Sequence, residues 1–501
     1  MRTITRTTLT ICALGLSLIA CRGGSSDDDD DDIPDAPPGG FTIQEVQSDD
    51  MAPGTAVELH GVVVVAIDKF GMRKDDIYVM EPDGGEYSGV HVFGGPPDKV
   101  GALAPGDIIS ITGAVKDEFA LASDTSGRTI TELKPASEGS MGIVKTGDGS
   151  VPEPKVVDAL AIGLLPTQDE RNAEWEKWEG VLVTVNKVTS FNSPKCVGSA
   201  CTDKTLETVD VTGGLVLESA LAEFPTGVTK AGCLASATGI VDYFFDYLLY
   251  QRSADDIATG GAGCPAPEAT QDICGDDIDN DGNGFKDCED NGCIVAEATC
   301  RMTTSISAIQ AATPTDPIEL SDVFITAVSD NGYNLWVSTS LTAAANQGVF
   351  IYGNGTKLPA TFVPGAKVKV IGRVKEYNND TMGESLTEVE AIDVTLNTAG
   401  AGLVVPVTKT AAELNTATTG EPYEGALVRL TNVKVMAAAD DHGVAQLMQD
   451  TTMFLSDDNI EEVTEAVGTC FTEIVGIWSY QVNENAYTIE PITKPTGTTC
   501  N

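Results

Sequence analysis

The chain has 501 residues, too many for one compact domain at a soft prior of about 150 per domain. Its 75 Asp and Glu outweigh 30 Lys and Arg, for a net charge of −45. That balance favours cations and basic surfaces as partners and argues against a tight nucleic-acid binder, which carries a basic stripe. With 42% hydrophobic residues the chain can build real cores, and 51 glycines beside 6% aromatics point to turn-rich β structure.

Arg2 and Arg6 precede an apolar run from Leu9 to Ala20. The run is too short for a permanent membrane span and has the shape of a secretory signal. It closes on Leu18-Ile19-Ala20-Cys21. This end resembles the lipobox of bacterial lipoproteins, which implies removal of residues 1–20 and lipidation of Cys21. Arg22 follows, and the absence of Asp there implies the outer membrane or cell surface. The expected address is therefore the cell envelope, as an outer-membrane lipoprotein facing the periplasm or the exterior. Residues 21–40 hold Gly, Ser, Pro and the unbroken run Asp27–Asp32, an extended acidic tether.

The remainder repeats itself. Thr42-Ile43-Gln44-Glu45-Val46-Gln47 answers Ser305-Ile306-Ser307-Ala308-Ile309-Gln310. Gly89-Val90-His91-Val92 answers Gly348-Val349-Phe350-Ile351, and Pro105-Gly106 answers Pro364-Gly365 ahead of matched alternating residues. Thr131-Glu132-Leu133 answers Thr387-Glu388-Val389. Glu176, Glu179 and Gly180 answer Glu421, Glu424 and Gly425, and Cys233 with Gly239 answers Cys470 with Gly476. Ile109 and Ile111 alternate with Ser110 and Thr112, the period of a half-buried strand, and Val57–Ile67 is a long β-branched run. Residues 156–164 and 218–224 are candidate short helices. The expected fold is all-β, with four modules at 41–140, 141–264, 301–395 and 396–501, and a linker at 265–300.

The first module of each copy resembles an oligonucleotide-binding (OB)-like module of the kind that accompanies secreted bacterial nucleases of the endonuclease/exonuclease/phosphatase class. The Glu-x-[Trp/Tyr]-Glu-Gly segment resembles the second half of that region. These motifs are turns and core positions, so the resemblance implies fold more than activity. The chain has no room for the nuclease domain itself. Asp440-Asp441-His442 sits in an expected loop, and His60 and His91 sit in expected strands.

Without Cys12 in the signal and Cys21 at the anchor, ten cysteines remain of 12. An exported chain lives where disulfides persist. Cys233–Cys264 and Cys470–Cys500 stand at equivalent places in the two copies, and Cys196–Cys201 spans a short loop. Cys274, Cys288, Cys293 and Cys300 leave three pairings open. No Cys-x-x-Cys occurs and no His is near, which disfavours zinc.

Within the linker the chain reads Asp279-x-Asp281-x-Asn283-Gly284-x-x-Asp287-x-x-Asp290. This is calcium-loop grammar, with hard oxygens at alternating positions, Gly at the bend and the Phe285 carbonyl as a further donor. Asp277 starts an overlapping register two residues earlier, so one ion or two is open. The block resembles Asp/Asn/Gly linker repeats of secreted Gram-negative proteins and thrombospondin type 3 repeats. Asp290 is shorter than the bidentate Glu of an EF-hand, so affinity is expected near about 10⁻⁴ to 10⁻³ M.

Tyr243-Phe244-Phe245-Asp246-Tyr247 and Tyr250 read as aromatic packing at a strand pair rather than base stacking. No nucleophile, phosphate-loop or zinc-protease motif appears. The sequence therefore reads as a non-enzymatic, lipid-anchored binding or display protein with a structural calcium site. Its partners would be the membrane, through the anchor, and an extracellular protein or polysaccharide. The alternative is a nucleic-acid-binding accessory of a secreted nuclease system, for which Lys69, Arg73, Lys74 and Lys116 would have to form a basic face.

Overall fold

The computed structural model describes residues 40–69, 76–197, 206–377 and 385–495, with the backbone of 497–498. Cys21, Asp27–Asp32, Arg73, Lys74, Cys201 and Cys500 lie outside the described residues.

Four β modules follow one another. In module 1 the strands are Ala56–Ile67, Ile77–Met80, Gly89–Val92, Asp107–Phe119 and Ile130–Pro135. They pair in the order first, second, third, fifth, fourth, and the fourth returns to the first. The third and fifth strands are parallel and the other neighbours antiparallel. This is the closed five-stranded Greek-key barrel of an OB-fold. Val57, Leu59, Ile109 and Ile111 fill it from alternating positions, as the two-residue period requires. Modules 3 and 4 close in the same order, through pairing of Ile318–Val328 with Lys367–Tyr377 and of Leu427–Ala437 with Cys470–Gln481. Module 2 keeps the order but stays open at one seam, where its first two strands meet at an isolated bridge between Ser190 and Val211.

Some sequence expectations shift. Gly142–Asp148 pairs antiparallel with Asp107–Phe119, so this strand belongs to the first sheet rather than the second module. Residues 159–163 are helical, but 218–224 is not a helix, because Glu218 still pairs with Thr208 as the end of a strand. The longer helix Gln168–Glu176 was not foreseen, although Thr167 and Glu170 form a capping box at its start.

Modules pack in pairs through one repeated joint. Gly89 lies so close to the next module that a Cβ there would sit 2.0 Å from the Gly180 carbonyl oxygen. Gly348 would meet Gly425 at 2.2 Å in the same way. Gly180 and Gly425 adopt φ of 73° and 71°, the left-handed region that glycine enters without strain. The Gln47 amide donates to the Gly89 carbonyl within module 1 at 2.6 Å and across the joint to the Glu179 carbonyl at 3.4 Å, and Gln310 donates to the Gly348 carbonyl within module 3 at 3.0 Å. Around the first joint Tyr78 and Met80 of module 1 join Val181, Ile240 and Tyr250 of module 2 in one core. Around the second, Trp336 joins Leu427 and Ile477.

Disulfides connect Cys233 to Cys264, Cys274 to Cys293 and Cys288 to Cys300. The last two select one of the three pairings left open by the sequence. Cys196 and Cys470 are also disulfide-bonded. Among the described residues no helix is long and apolar enough to cross a membrane.

Candidate metal centre

The linker folds around its own carboxylates. Asp279 turns inward on its loop, accepting from the amides of Gly282 at 2.7 Å, Asn283 at 3.2 Å and Gly284 at 2.8 Å. Gly282 and Gly284 make the bend with φ of 71° and 92°. Asp281 accepts from the amides of Asn283 and Glu268, both at 3.2 Å. Asp290 caps the short helix Asn291–Ala296, accepting from Gly292 at 2.6 Å and Cys293 at 3.0 Å, and its other oxygen accepts from the Asn283 side-chain amide.

A residue outside the loop completes the group. Glu268 is fully buried and accepts from the amides of Asn280 at 2.5 Å and Asp287 at 3.1 Å. Oxygens of Glu268, Asp279 and Asp281 lie within 4.8 Å of one another, and Glu268 makes a second such group with Asp290 and Cys293. The Cys293 sulfur is tied to Cys274, so it offers no thiolate. Glu268 carries no sequence signal. It precedes the loop in an extended stretch, and the fold brings it in.

Burial is the main force on these carboxyls. Loss of water, with the Asp290 charge beside them, pushes Glu268 and Asp281 up to about 7, and burial also raises Asp279. Packed acids of this kind are neutralised by protons or by a cation. The donors are all hard oxygens, which suit calcium, magnesium or manganese rather than zinc or copper. Glu268, Asp279 and Asp281 would hold such an ion, with Asp290 and Asn283 adjoining.

The carboxylates of Asp277 and Asp287 are not among these clustered oxygens. Asp277 is exposed and salt-bridged to Lys286. The Asp287 carboxylate accepts a long 3.4 Å bond from the Asp277 amide, and the Phe285 amide donates to Asn283 at 2.8 Å.

The linker touches both halves of the chain. A Cβ on Gly163 would lie 2.1 Å from the Gly282 carbonyl oxygen, and the Gly213 amide donates to that oxygen at 2.6 Å. On the other side Ile294 packs with Ile371 of module 3, and the Arg373 guanidinium donates to Asn291 at 2.8 Å.

Two other candidate surfaces resolve differently. An OB-fold commonly binds on the face of its second and third strands. In modules 1 and 3 that face is buried at the joint, as Tyr78, Met80, His91 and Trp336 show. The proposed basic face loses Lys116, whose ammonium is buried on the Ser48 carbonyl and Glu118, both at 2.9 Å. His91 is buried too, 3.2 Å from Asp76 and 3.4 Å from Glu132, and stacks on Tyr78. Burial opposes its charge, but the bonds to Asp76 and Glu132 win and push its pKa up to about 9. Tyr243, Tyr247 and Tyr250 are packed into the core, while Phe244 and Phe245 are exposed. His442 lies in a turn, its amide donating to Asp440 at 2.8 Å.

No protein-family model matches the chain, and no curated protein does. Among solved structures it is similar to a replication protein A heterotrimer bound to single-stranded DNA, with TM-score 0.23 and 10% identity over 69% of this chain and 94% of that one. It is also similar to an Ifi202 HINa domain in complex with 20-bp duplex DNA, with TM-score 0.19 and 11% identity over 42% of this chain and 93% of that one. Likeness at this level carries no argument about ligands.

Proposed function

We propose that this chain is a non-enzymatic, lipid-anchored binding or display protein of the cell envelope, with calcium setting the relation between its two halves. The observation that carries the reading is the carboxylate group of buried Glu268, Asp281 and Asp290 with half-buried Asp279, in a linker that touches modules 2 and 3. A hard cation there neutralises acids that would otherwise repel, and so favours the folded linker. The Cys21 lipobox supplies the anchor, and the acidic tether holds the modules away from the membrane.

The test is calcium titration of the soluble chain from Arg22 onward, followed by differential scanning calorimetry and small-angle scattering. Calcium at about 100 times its Kd adds roughly 2.7 kcal/mol to a site that forms only on folding. The expected result is a higher melting temperature and a narrower distance distribution with calcium, both reversed by chelator. Unchanged melting and scattering across millimolar calcium would sink the reading.

The accessory nucleic-acid role has the OB-like barrels in its favour. Against it stand the net charge of −45 and the covered strand faces of modules 1 and 3. Salt-sensitive binding of labelled single-stranded DNA, read by fluorescence anisotropy, would reverse this order.

A further inference from the structure

A cavity of about 130 Å³ lies where module 1 meets module 2. Val65, Ile67, Pro105 and Leu221 give it apolar walls, and Lys69 and Arg252 are its charged lining. None of its lining residues is acidic, in a chain where acids outnumber bases 75 to 30. Lys69 is exposed and forms no salt bridge among the described residues. Asp256 engages Arg252 at Nε, 3.1 Å, and at Nη2, 2.9 Å, which leaves the Nη1 donors for a ligand.

The second copy serves as an internal control. Ile67 and Val328 end the first strands of modules 1 and 3, so Lys69 corresponds to Asp330. Tyr247 and Tyr487 donate to the matched Glu176 and Glu421, so Arg252 corresponds to Ile492. Leu217 pairs with Leu249 as Ser456 pairs with Ile489, so Leu221 corresponds to Ile460. In the second copy Ile460 and Ile492 pack against a core that contains Ala327 and Trp336. The joint therefore closes with apolar residues and needs neither cation. Lys69 and Arg252 thus have no cationic counterpart at the second joint, where Asp330 and Ile492 stand in their places.

We propose that this cavity binds a small organic carboxylate with a short hydrocarbon tail. The carboxylate pairs with the Lys69 ammonium and the free edge of the Arg252 guanidinium, and the tail rests on Val65, Ile67, Pro105 and Leu221. Such a division, apolar walls with a few charged groups that fix orientation, is the usual make-up of a small-molecule site. The volume sets the size, since an apolar cavity of about 150 Å³ accepts benzene. A ligand of roughly six to eight heavy atoms fits, such as butanoate or hexanoate.

Isothermal titration of the full chain with hexanoate, hexanol and hexylamine tests this. Hexanoate is expected to bind, hexanol at least tenfold more weakly, and hexylamine not at all. Lys69→Met, a change at an exposed position, should weaken hexanoate at least tenfold and leave hexanol unchanged. Leu221→Trp, which fills the cavity, should remove both, and Lys69→Met keeps the test decisive if Leu221→Trp misfolds by circular dichroism. No hexanoate binding at millimolar concentration, equal binding of hexanol, or binding indifferent to Lys69→Met would each overturn the proposal.

Discussion

The Thr131 amide donates to Glu179 Oε1 at 2.8 Å across the joint of modules 1 and 2, and the Thr387 amide donates to Glu424 Oε1 at 2.8 Å across the joint of modules 3 and 4. Both glutamates are buried, and the second oxygen of each has no hydrogen-bond partner. The two threonine hydroxyls also donate to matched acids, Glu118 at 3.0 Å and Glu376 at 3.1 Å. Duplication has therefore preserved a buried acid, and burial beside other carboxylates pushes both acids well above the ordinary glutamate range.

That shift gives stability a definite pH dependence. A folded-state pKa above the unfolded value means the folded chain keeps a proton that the unfolded chain has released. The contribution is complete below the ordinary glutamate value of 4.5 and is lost as pH rises through the raised value. Glu179→Gln with Glu424→Gln imitates the protonated acids and keeps an acceptor for each threonine amide. At pH 8 the double variant should melt about 2–4 °C higher than the parent for each kcal/mol of relief. Melting curves from pH 4 to pH 9 check this, and a double variant less stable than the parent at pH 8 would refute it.

The glycine contacts at the joints predict a steric effect. Gly89→Ala places a methyl group 2.0 Å from the Gly180 carbonyl oxygen, and both contact partners are backbone. Neither can swing aside, so the modules must separate. Overpacking of this kind costs about 1–3 kcal/mol. Gly348→Ala should cost a similar amount, and Gly147→Ala should cost less, because its φ is not in the left-handed region and its Cβ would meet the Ile108 side chain only at 3.7 Å. Urea denaturation of the three variants gives the order. Equal midpoints for Gly89→Ala and the parent would contradict the close approach.

Much of this joint was legible as pattern but not as contact. Gln47, Gly89, Thr131, Glu179 and Gly180 each stood out because each recurs in the second copy. The sequence could not say that they meet, because they come from separate elements of two modules and only the barrel closure brings them together. The strands were readable from their two-residue period, and the linker from its acid spacing. Glu268 was invisible because a single Glu in an irregular stretch has no period or motif, and its place depends on tertiary packing. A module boundary at 140–141 separates Gly142–Asp148 from its partner Asp107–Phe119 for the same reason. Strand type is local, whereas strand partner is not.

The two joints solve one packing problem with different chemistry, and this predicts asymmetry. His91 of the first copy corresponds to Phe350 of the second, and Tyr78 corresponds to Trp336. The first joint thus buries His91 between Asp76 and Glu132, where the second packs Phe350 beside Trp336 at 5.1 Å. His91→Phe keeps the shape but leaves Asp76 and Glu132 without their cation. Breaking a buried pair from one side costs about 3–5 kcal/mol. Denaturation at pH 7 should show that loss. A His91→Phe variant as stable as the parent would mean that the acids are neutral there without the histidine.

The last prediction separates the acids of the linker, which the sequence alone ranks together. Asp277 and Asp281 both fit the alternating calcium pattern, yet the Asp281 carboxylate is buried beside Glu268 while Asp277 is exposed and held by Lys286. Removing a ligand charge from the buried group weakens attraction for the ion where little water screens it. Asp281→Asn and Glu268→Gln should each weaken calcium binding by at least tenfold, while Asp277→Asn should change it less than threefold. The Asn and Gln amides retain an oxygen of similar size, so folding without calcium is preserved or improved as buried repulsion falls. Calcium titration monitored by calorimetry reads the affinities, and melting without calcium reads the folding. A large loss at Asp277 with none at Glu268 would return the site to the register starting at Asp277 and remove Glu268 from it.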